Sequence, residues 1–344
     1  MPVQMRLSSA ILGLLAVAVF QSACASSTPQ PPAAPQPGQP GAYYPPQPGQ
    51  PGGYYPQQPG QPQQPGQLPA QQVQAQRPML APLTPAMYQA EARGVLAEQI
   101  SHLSAGYASK VNGMPLQIDP DATQVNAYAT CTDAGAPYVA ITEGLLEAVD
   151  GIAQTRATDE MFGTQTYAAF ANAVIPSLLQ PQGRAALPAG IIPAQYLNVP
   201  QRLSRAHEMF DDIIAFTVGH ELSHHYLGHT GCNGTLGPID FNVLGRIISS
   251  HIQVFNQPNE TAADTYGCFN TLDSGIARAP NYRWSEKGGL MLLQFLAQLE
   301  SAAGATPLNP IAYFQSHPSS PIRIVWVQGA ANTWYAQHRS VPRQ

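Results

Sequence analysis

Apolar residues recur at every third or fourth position along most of the chain after residue 83, which is the spacing of helices with one buried face. The pattern predicts helices over residues 87–107, 206–227, 237–256, from 258 onward and over 285–303. Short alternating runs predict strands at residues 116–118 and around Tyr128 and Tyr138, with 133–135 in the turn between the last two. We therefore expect an α+β fold that is mainly helical and has a small sheet.

The first 82 residues lack this periodicity. Residues 26–82 are rich in Pro, Gln and Gly, and more than half of the chain's 35 prolines precede residue 86. Such a composition favours extended, polyproline-like chain and cannot build a core. We expect a tether over residues 26–82, between a processed segment at 1–25 and a folded domain at 83–344.

Residues 1–25 are typical of an export signal, because Arg6 precedes an apolar run at 10–20 that is too short to cross a bilayer. Residues 21–24 resemble a lipobox, which would make Cys24 the lipidated N-terminus. Gln21 stands where an aliphatic residue is usual, and residues 23–25 also suit ordinary signal peptidase, so both kinds of cleavage remain open. Either way we expect export to the periplasm, and the lipid would anchor the protein to the outer membrane.

The charge pattern excludes one class of partner. The chain has a net charge of −5, and only 10% of its residues are charged. No basic field is therefore present to attract the phosphates of a nucleic acid. We expect no nucleic-acid partner.

The helix that ends before Gly228 contains the sequence His-Glu-Leu-Ser-His, an HExxH motif. His220 and His224 are four residues apart, so both imidazoles project from one face and can bind one Zn²⁺. Glu221 lies one step round the helix, where it can act as a general base on water. Alone, the same residues would also fit a solvated polar edge of the helix.

A second pair of residues strengthens the metal interpretation. Glu260 and Asp264 are again four residues apart, on a helix predicted to start at Pro258 with Asn259 as its N-cap. Glu260 is the expected third ligand, and Asp264 can accept the free ring N–H of a ligand histidine. Three protein ligands with an open fourth position are typical of a catalytic zinc site rather than a structural one.

These motifs together resemble the gluzincin zinc metallopeptidases of the CaaX prenyl protease and HtpX family, and within it the secreted bacterial lipoprotein branch of the BepA and LoiP kind. Two more stretches share the resemblance: residues 125–129 with 137–146, similar to the family's strand pair, and residues 316–324, similar to its Ser-His-Pro…Arg-Ile segment. The likeness covers residues 85–340 and is weakest over 147–200, where we expect an insertion of extra helix and a loop over the cleft.

The resemblance implies a zincin-type domain with one Zn²⁺ per chain and polypeptide substrates. It implies that Asn126, Ala127 and Tyr128 form the edge strand that borders the active-site cleft and pairs with substrate. His317 would either donate to the oxyanion or block the open metal position until a substrate or an envelope assembly partner displaces it. Arg323 would pair with a carboxylate near the site.

Export would permit a disulfide among Cys131, Cys232 and Cys268. We expect Cys232 to pair with Cys268, because Cys232 follows the HExxH helix and Cys268 lies one turn past Asp264, in regions that the metal would bring together. A second metal site is the alternative, but the cysteines lack CxxC spacing.

The function that the resemblance implies is zinc-dependent cleavage of misfolded or unassembled envelope proteins. One alternative is a self-inhibited, chaperone-like protein that uses the zinc site and edge strand for binding. Another is a zinc hydrolase that acts on cell-wall amide bonds. His229 does not fit the third ligand of a metzincin, because it follows His220 by nine residues instead of ten.

Overall fold

The computed structural model describes residues 83–233, 257–278, 282–304, 317 and 319–343. The export signal with Cys24, the tether at 26–82 and the helix expected at 237–256 lie outside the described residues. No helix among the described residues combines the length and the apolarity needed to cross a bilayer.

The described chain is mainly helical. Two helices come first, α1 (Pro85–His102) and α2 (Ala105–Val111), and three strands follow, β1 (Leu116–Asp119), β2 (Ala127–Cys131) and β3 (Pro137–Thr142). The remaining helices are α3 (Glu143–Phe162), α4 (Thr166–Leu178), α5 (Ala194–Leu197), α6 (Pro200–Tyr226), α7 (Gln257–Ala277), α8 (Glu286–Ala303) and α9 (Ser320–Gln337). The expected α+β class, with a small sheet, is confirmed.

The three strands form one mixed sheet in the order β1, β3, β2. β3 lies in the centre, parallel to β1 and antiparallel to β2, with Ala129 opposite Val139. Gly135 has a φ of +78° in the turn between β2 and β3, a conformation that glycine adopts without strain. β2 is therefore an edge strand of this sheet.

Helix α6 is the centre of the domain, and it packs against α1, α3, α7, α8 and β2. Pro200 occupies its first turn, where the missing N–H is not needed. Apolar residues such as Phe210, Phe216 and Val218 are buried on different faces of the helix. Burial on all sides is typical of a helix inside a core, and each such side chain contributes about 1.5–3 kcal/mol.

Three predicted boundaries are wrong. α6 begins at Pro200 instead of residue 206. The helix expected over 87–107 is interrupted, because Leu103 is extended and a second helix starts at Ala105. The interruption lets Leu103 and Tyr107 both pack against the core. α7 begins at Gln257, so Asn259 lies within its first turn instead of capping it.

The region from 147 to 200 forms most of α3, together with α4 and α5. α4 packs against α3 and α8. Among the described residues, the cavity beside His220 is lined by none from this region.

Candidate active site

Helix α6 places the two motif histidines on one face, as their spacing predicts. Nε2 of His220 and Nε2 of His224 lie 3.2 Å apart, and both residues are buried. Glu260 reaches the same point from α7, with Oε2 3.5 Å from Nε2 of His220 and Oε1 3.2 Å from Nε2 of His224. The ligand atoms of these three residues all lie within 4.8 Å of one another.

A contact between two glycines sets the distance between α6 and α7 at this point. A Cβ on Gly267 would lie only 2.8 Å from the backbone nitrogen of His220. A Cβ on Gly219 would lie 3.1 Å from the carbonyl oxygen of Gly267. The two backbones therefore touch beside His220, and this close approach brings Glu260 within reach of the histidines.

Each ligand histidine has its own partner at Nδ1. Nδ1 of His220 lies 3.0 Å from Oδ1 of Asp264, so it donates to that carboxylate and leaves the lone pair on Nε2. Arg323, on α9, also binds Asp264, through Nη2 at 2.7 Å and Nε at 3.0 Å. Nδ1 of His224 lies 3.0 Å from Nδ1 of His229.

The charges at this point favour a cation. Burial and the charge of Arg323 lower the pKa of His220, but hydrogen bonds to Asp264 and Glu260 outweigh them and raise it to about 9. Burial raises the pKa of Glu260, but the neighbouring histidines lower it far below its usual range. Burial lowers the pKa of His224 to about 3, so this ring stays neutral.

The residues fit the Zn²⁺ that the motif implies. Three buried carboxylates, Glu221, Glu260 and Asp264, face the single guanidinium of Arg323. Among the described residues, Oε1 of Glu260 has no hydrogen-bond partner, although it lies 3.2 Å from Nε2 of His224. Imidazole nitrogen and carboxylate oxygen are the donors of catalytic zinc sites. An acceptor left buried without a donor is costly, and a cation would satisfy it.

Glu221 lies beside the histidines but is not part of the group formed by His220, His224 and Glu260. Its Oε2 is buried and has no hydrogen-bond partner in the part of the chain that the structure describes. Burial raises the pKa of Glu221, although the charges of His220 and His317 oppose the increase. A carboxylate with a raised pKa accepts a proton more readily, which suits a general base.

An apolar cavity of about 20 Å³ adjoins Glu221. Its walls come from β2, α3, α6, α8 and α9: Ala127, Leu145, Phe216, Thr217, His220, Glu221, Leu292, Leu293, Leu296, His317 and Arg323. A volume of this size holds one or two water molecules. The leucines of α8 were not expected at the site, because their helical spacing predicts only core packing.

His317 lies within the site, just before α9. Its Nδ1 is 2.7 Å from Oε2 of Glu260, and the residue is buried. One of its ring nitrogens also groups with ligand atoms of His220 and Glu221. The His317 ring is therefore within reach both of a reacting group near Glu221 and of the expected metal ligands.

The residues expected to bind a substrate backbone lie at the start of β2. Ala127 lines the cavity beside Glu221. Asn126 is 1% exposed, and neither its side-chain oxygen nor its side-chain nitrogen has a hydrogen-bond partner among the described residues. Tyr128 faces the other side of the sheet, where its hydroxyl donates to Asp119 at 3.0 Å.

The expected disulfide between Cys232 and Cys268 is wrong. Cys131, the last residue of β2, pairs with Cys232 across a Cα–Cα distance of 5.7 Å. Among the described cysteines, Cys268 is free, and it is buried on α7. The segment after α6 turns towards the sheet, which carries Cys232 away from α7. His225, near the end of α6, also contacts the sheet: its Nε2 donates to the carbonyl of Tyr138 at 2.9 Å.

Comparison with known proteins gives one result that bears on function. Neither the curated proteins nor the solved structures yield a match. The model of peptidase family M48 matches residues 90–331. This range covers more than half of the chain and includes every residue of the site described above. The chain therefore belongs to peptidase family M48.

Proposed function

We propose that the chain is a zinc-dependent endopeptidase of the bacterial cell envelope that cleaves misfolded or unassembled envelope proteins. Membership of family M48 makes it a metallopeptidase, a hydrolase of peptide bonds. The convergence of His220, His224 and Glu260 beside a buried Glu221 is the observation that supports the zinc-dependent mechanism. Membership of a peptidase family does not favour the chaperone-like alternative.

The proposed chemistry uses the residues around Glu221. His220, His224 and Glu260 would hold Zn²⁺, which would supply a Lewis acid able to polarise a carbonyl and to activate water near neutral pH. Glu221 takes a proton from the attacking water and gives it to the leaving amine. Its burial keeps bulk water away from this proton transfer.

His317 has two proposed roles that the same position supports. Its side chain can donate a hydrogen bond to the oxyanion that develops on the substrate carbonyl. Its hydrogen bond to Glu260 equally supports a blocking role, in which the ring stays against the metal ligands until substrate displaces it. The two roles predict opposite results for His317→Ala, a loss of activity in the first case and a gain in the second.

β2 is the proposed binding strand for the substrate backbone. An extended peptide can add to a sheet edge by main-chain hydrogen bonds that do not depend on its side chains. The start of this strand borders the cavity at Ala127. The two unpaired side-chain atoms of Asn126 offer one further donor and one further acceptor for such a peptide. This mode suits an enzyme that accepts many unfolded substrates.

The envelope location rests on other observations. Residues 1–25 are typical of an export signal, and residues 21–24 resemble a lipobox. Disulfides such as Cys131–Cys232 persist in oxidising compartments and are rare in the cytosol. Fractionation of cells that express wild type or Cys24→Ala tests this part of the proposal. We expect wild type in the membrane fraction and the variant released in soluble form, whereas an unchanged distribution would contradict lipid anchoring.

The peptidase function is tested by zinc content and by hydrolysis of a loosely folded protein such as casein. We expect wild type to bind about one Zn²⁺ and to cleave, and Glu221→Gln to bind zinc while turnover falls about 10²- to 10⁴-fold. Glu208→Gln is a matched control on the same helix, because Glu208 is part-exposed and pairs with Arg205 instead of the site. Retained turnover in Glu221→Gln would contradict the proposed mechanism, and a protein that binds no zinc would contradict the function.

A further inference from the structure

A histidine outside the HExxH motif lies against one of the expected ligands. Nδ1 of His229 is 3.0 Å from Nδ1 of His224, and the two rings are inclined at 65°. His229 does not belong to the group formed by His220, His224 and Glu260. Its contact is with the side of His224 that faces away from Glu260.

The end of helix α6 is shaped so that His229 returns to this place. α6 ends at Tyr226, and Gly228 has a φ of +82°, which L-residues with a side chain rarely adopt. The left-handed turn brings the backbone N–H of His229 to the carbonyl of His224, at 2.8 Å. The backbone and the side chain of His229 therefore bind the same residue.

The position of one proton follows from these contacts. Nε2 of His224 points towards Glu260 and Nε2 of His220, so it must keep its lone pair to bind a cation there. A neutral imidazole then has its proton on Nδ1. That proton can be donated to Nδ1 of His229, provided that His229 has its own proton on Nε2.

We propose that His229 is a positioning residue of the metal centre, which accepts the Nδ1 proton of His224 and thereby fixes the ring and tautomer that bind zinc. The inference rests on the proposed function, because it requires His224 to be a ligand. The arrangement at His220 is different, because there the acceptor is the carboxylate of Asp264. A neutral acceptor fixes the ring without adding negative charge to a site that already has three carboxylates.

A purely structural role for His229 makes a different prediction, and His225 is the matched control. His225 is also a histidine at the end of α6, but its ring binds the carbonyl of Tyr138 and the hydroxyl of Thr230. Loss of either histidine should lower stability if both only pack the turn. Only loss of His229 should change the affinity for metal.

The test measures zinc affinity by competition with a chromophoric chelator, together with the visible spectrum of the Co²⁺-substituted protein, for the full exported chain. We expect His229→Ala to weaken zinc binding about 10- to 100-fold, the usual effect of losing a residue that orients a ligand. His229→Asn should recover most of the affinity, because its side-chain oxygen can accept at the place of Nδ1. His225→Ala should bind zinc as wild type does and give the wild-type Co²⁺ spectrum.

The outcomes separate this inference from the proposed function. Wild-type zinc affinity in His229→Ala would overturn the inference, while zinc binding lost in His224→Ala would still support the metal site. Equal loss of affinity in the Ala and Asn variants of His229, or in His225→Ala, would also overturn it. If His229→Ala does not fold, His229→Leu, which keeps the volume without the acceptor, decides by the same measurement. Wild type without zinc would contradict both proposals.

Discussion

Helix α6 joins the helical part of the domain and the sheet in two different ways. Towards α7 the contact is direct, because Gly219 and Gly267 let the backbones touch beside His220. Towards the sheet, α6 packs against β2, and two side-chain links are added: the Cys131–Cys232 disulfide just after the helix and the His225–Tyr138 hydrogen bond. The first contact assembles the metal ligands, whereas the second places the edge strand beside them. On the proposed function, we therefore expect that metal binding and substrate binding can be disturbed separately.

The largest effect on the metal centre is expected from Gly267→Ala. The new methyl group would lie 2.8 Å from the backbone of His220, so α6 and α7 must separate and Glu260 must move from the histidines. We expect about 10- to 100-fold weaker zinc binding, together with a loss of stability of about 1–3 kcal/mol.

Gly275→Ala is the control for that prediction. Gly275 lies on the same helix α7, and a Cβ there would be 2.3 Å from the carbonyl oxygen of Trp284. The substitution should therefore cost similar stability but leave zinc affinity unchanged. Equal zinc affinities in the two variants, measured by chelator competition, would show that the glycine contact does not set the metal site.

The largest effect on the sheet side is expected from removing the disulfide by Cys131→Ser with Cys232→Ser. The bond closes a loop with a sequence separation of 101, and the chain-entropy model assigns about 4–5 kcal/mol to a loop of this length. The folded variant should bind zinc with wild-type affinity, because no metal ligand lies on this side. Its KM for casein should rise more than its kcat falls, since the edge strand is less well held.

Urea unfolding, zinc titration and casein kinetics test this prediction together. Cys268→Ser is the control, because Cys268 forms no disulfide and the variant should keep the Cys131–Cys232 bond on peptide mapping. A loss of zinc affinity in the double variant would mean that the sheet and the metal centre are not separable.

A smaller rise in KM is expected from His225→Ala, which removes the other link between α6 and the sheet. The ring is buried, and its removal leaves the carbonyl of Tyr138 without this donor, at a cost of about 1–3 kcal/mol. Because the disulfide still holds β2, KM should rise less than in the cysteine variant. A larger rise than in the double cysteine variant would contradict the ranking of the two links.

A third contact of α6, with α8, should affect the pH dependence of stability and leave the site unchanged. Burial raises the pKa of Asp212 to about 7, although Ser285 and Tyr282 donate hydrogen bonds to it. The folded state then binds more protons than the unfolded state between about pH 4 and 7, so stability should fall as pH rises through this window. Asp212→Asn should flatten this dependence in urea unfolding at several pH values without changing zinc affinity. An unchanged pH dependence would contradict the assignment to Asp212.

The parts of the site that the sequence predicts are those that depend on helical spacing. His220 with His224, and Glu260 with Asp264, share a face because residues four apart do so on any helix. The prediction that the two pairs converge across α6 and α7 follows from the HExxH motif together with the Glu260–Asp264 pair. The link between β2 and Cys232 was not predictable in this way, because it depends on the direction of the chain after α6. The contact of His229 with His224 depends in turn on the left-handed turn at Gly228, for which the only signal in the sequence is the glycine itself.

The buried position of Cys268 has a consequence for oxidative folding. The folded domain contains three cysteines, so two incorrect pairs compete with Cys131–Cys232 while the chain is still unfolded. Packing of α7 against α6 withdraws Cys268 from oxidants, and burial raises the pKa of its thiol, which keeps it from reacting as the thiolate. A chain that packs these helices before oxidation has one available pair. A chain that is oxidised first can be trapped in the two others and needs a disulfide isomerase to escape.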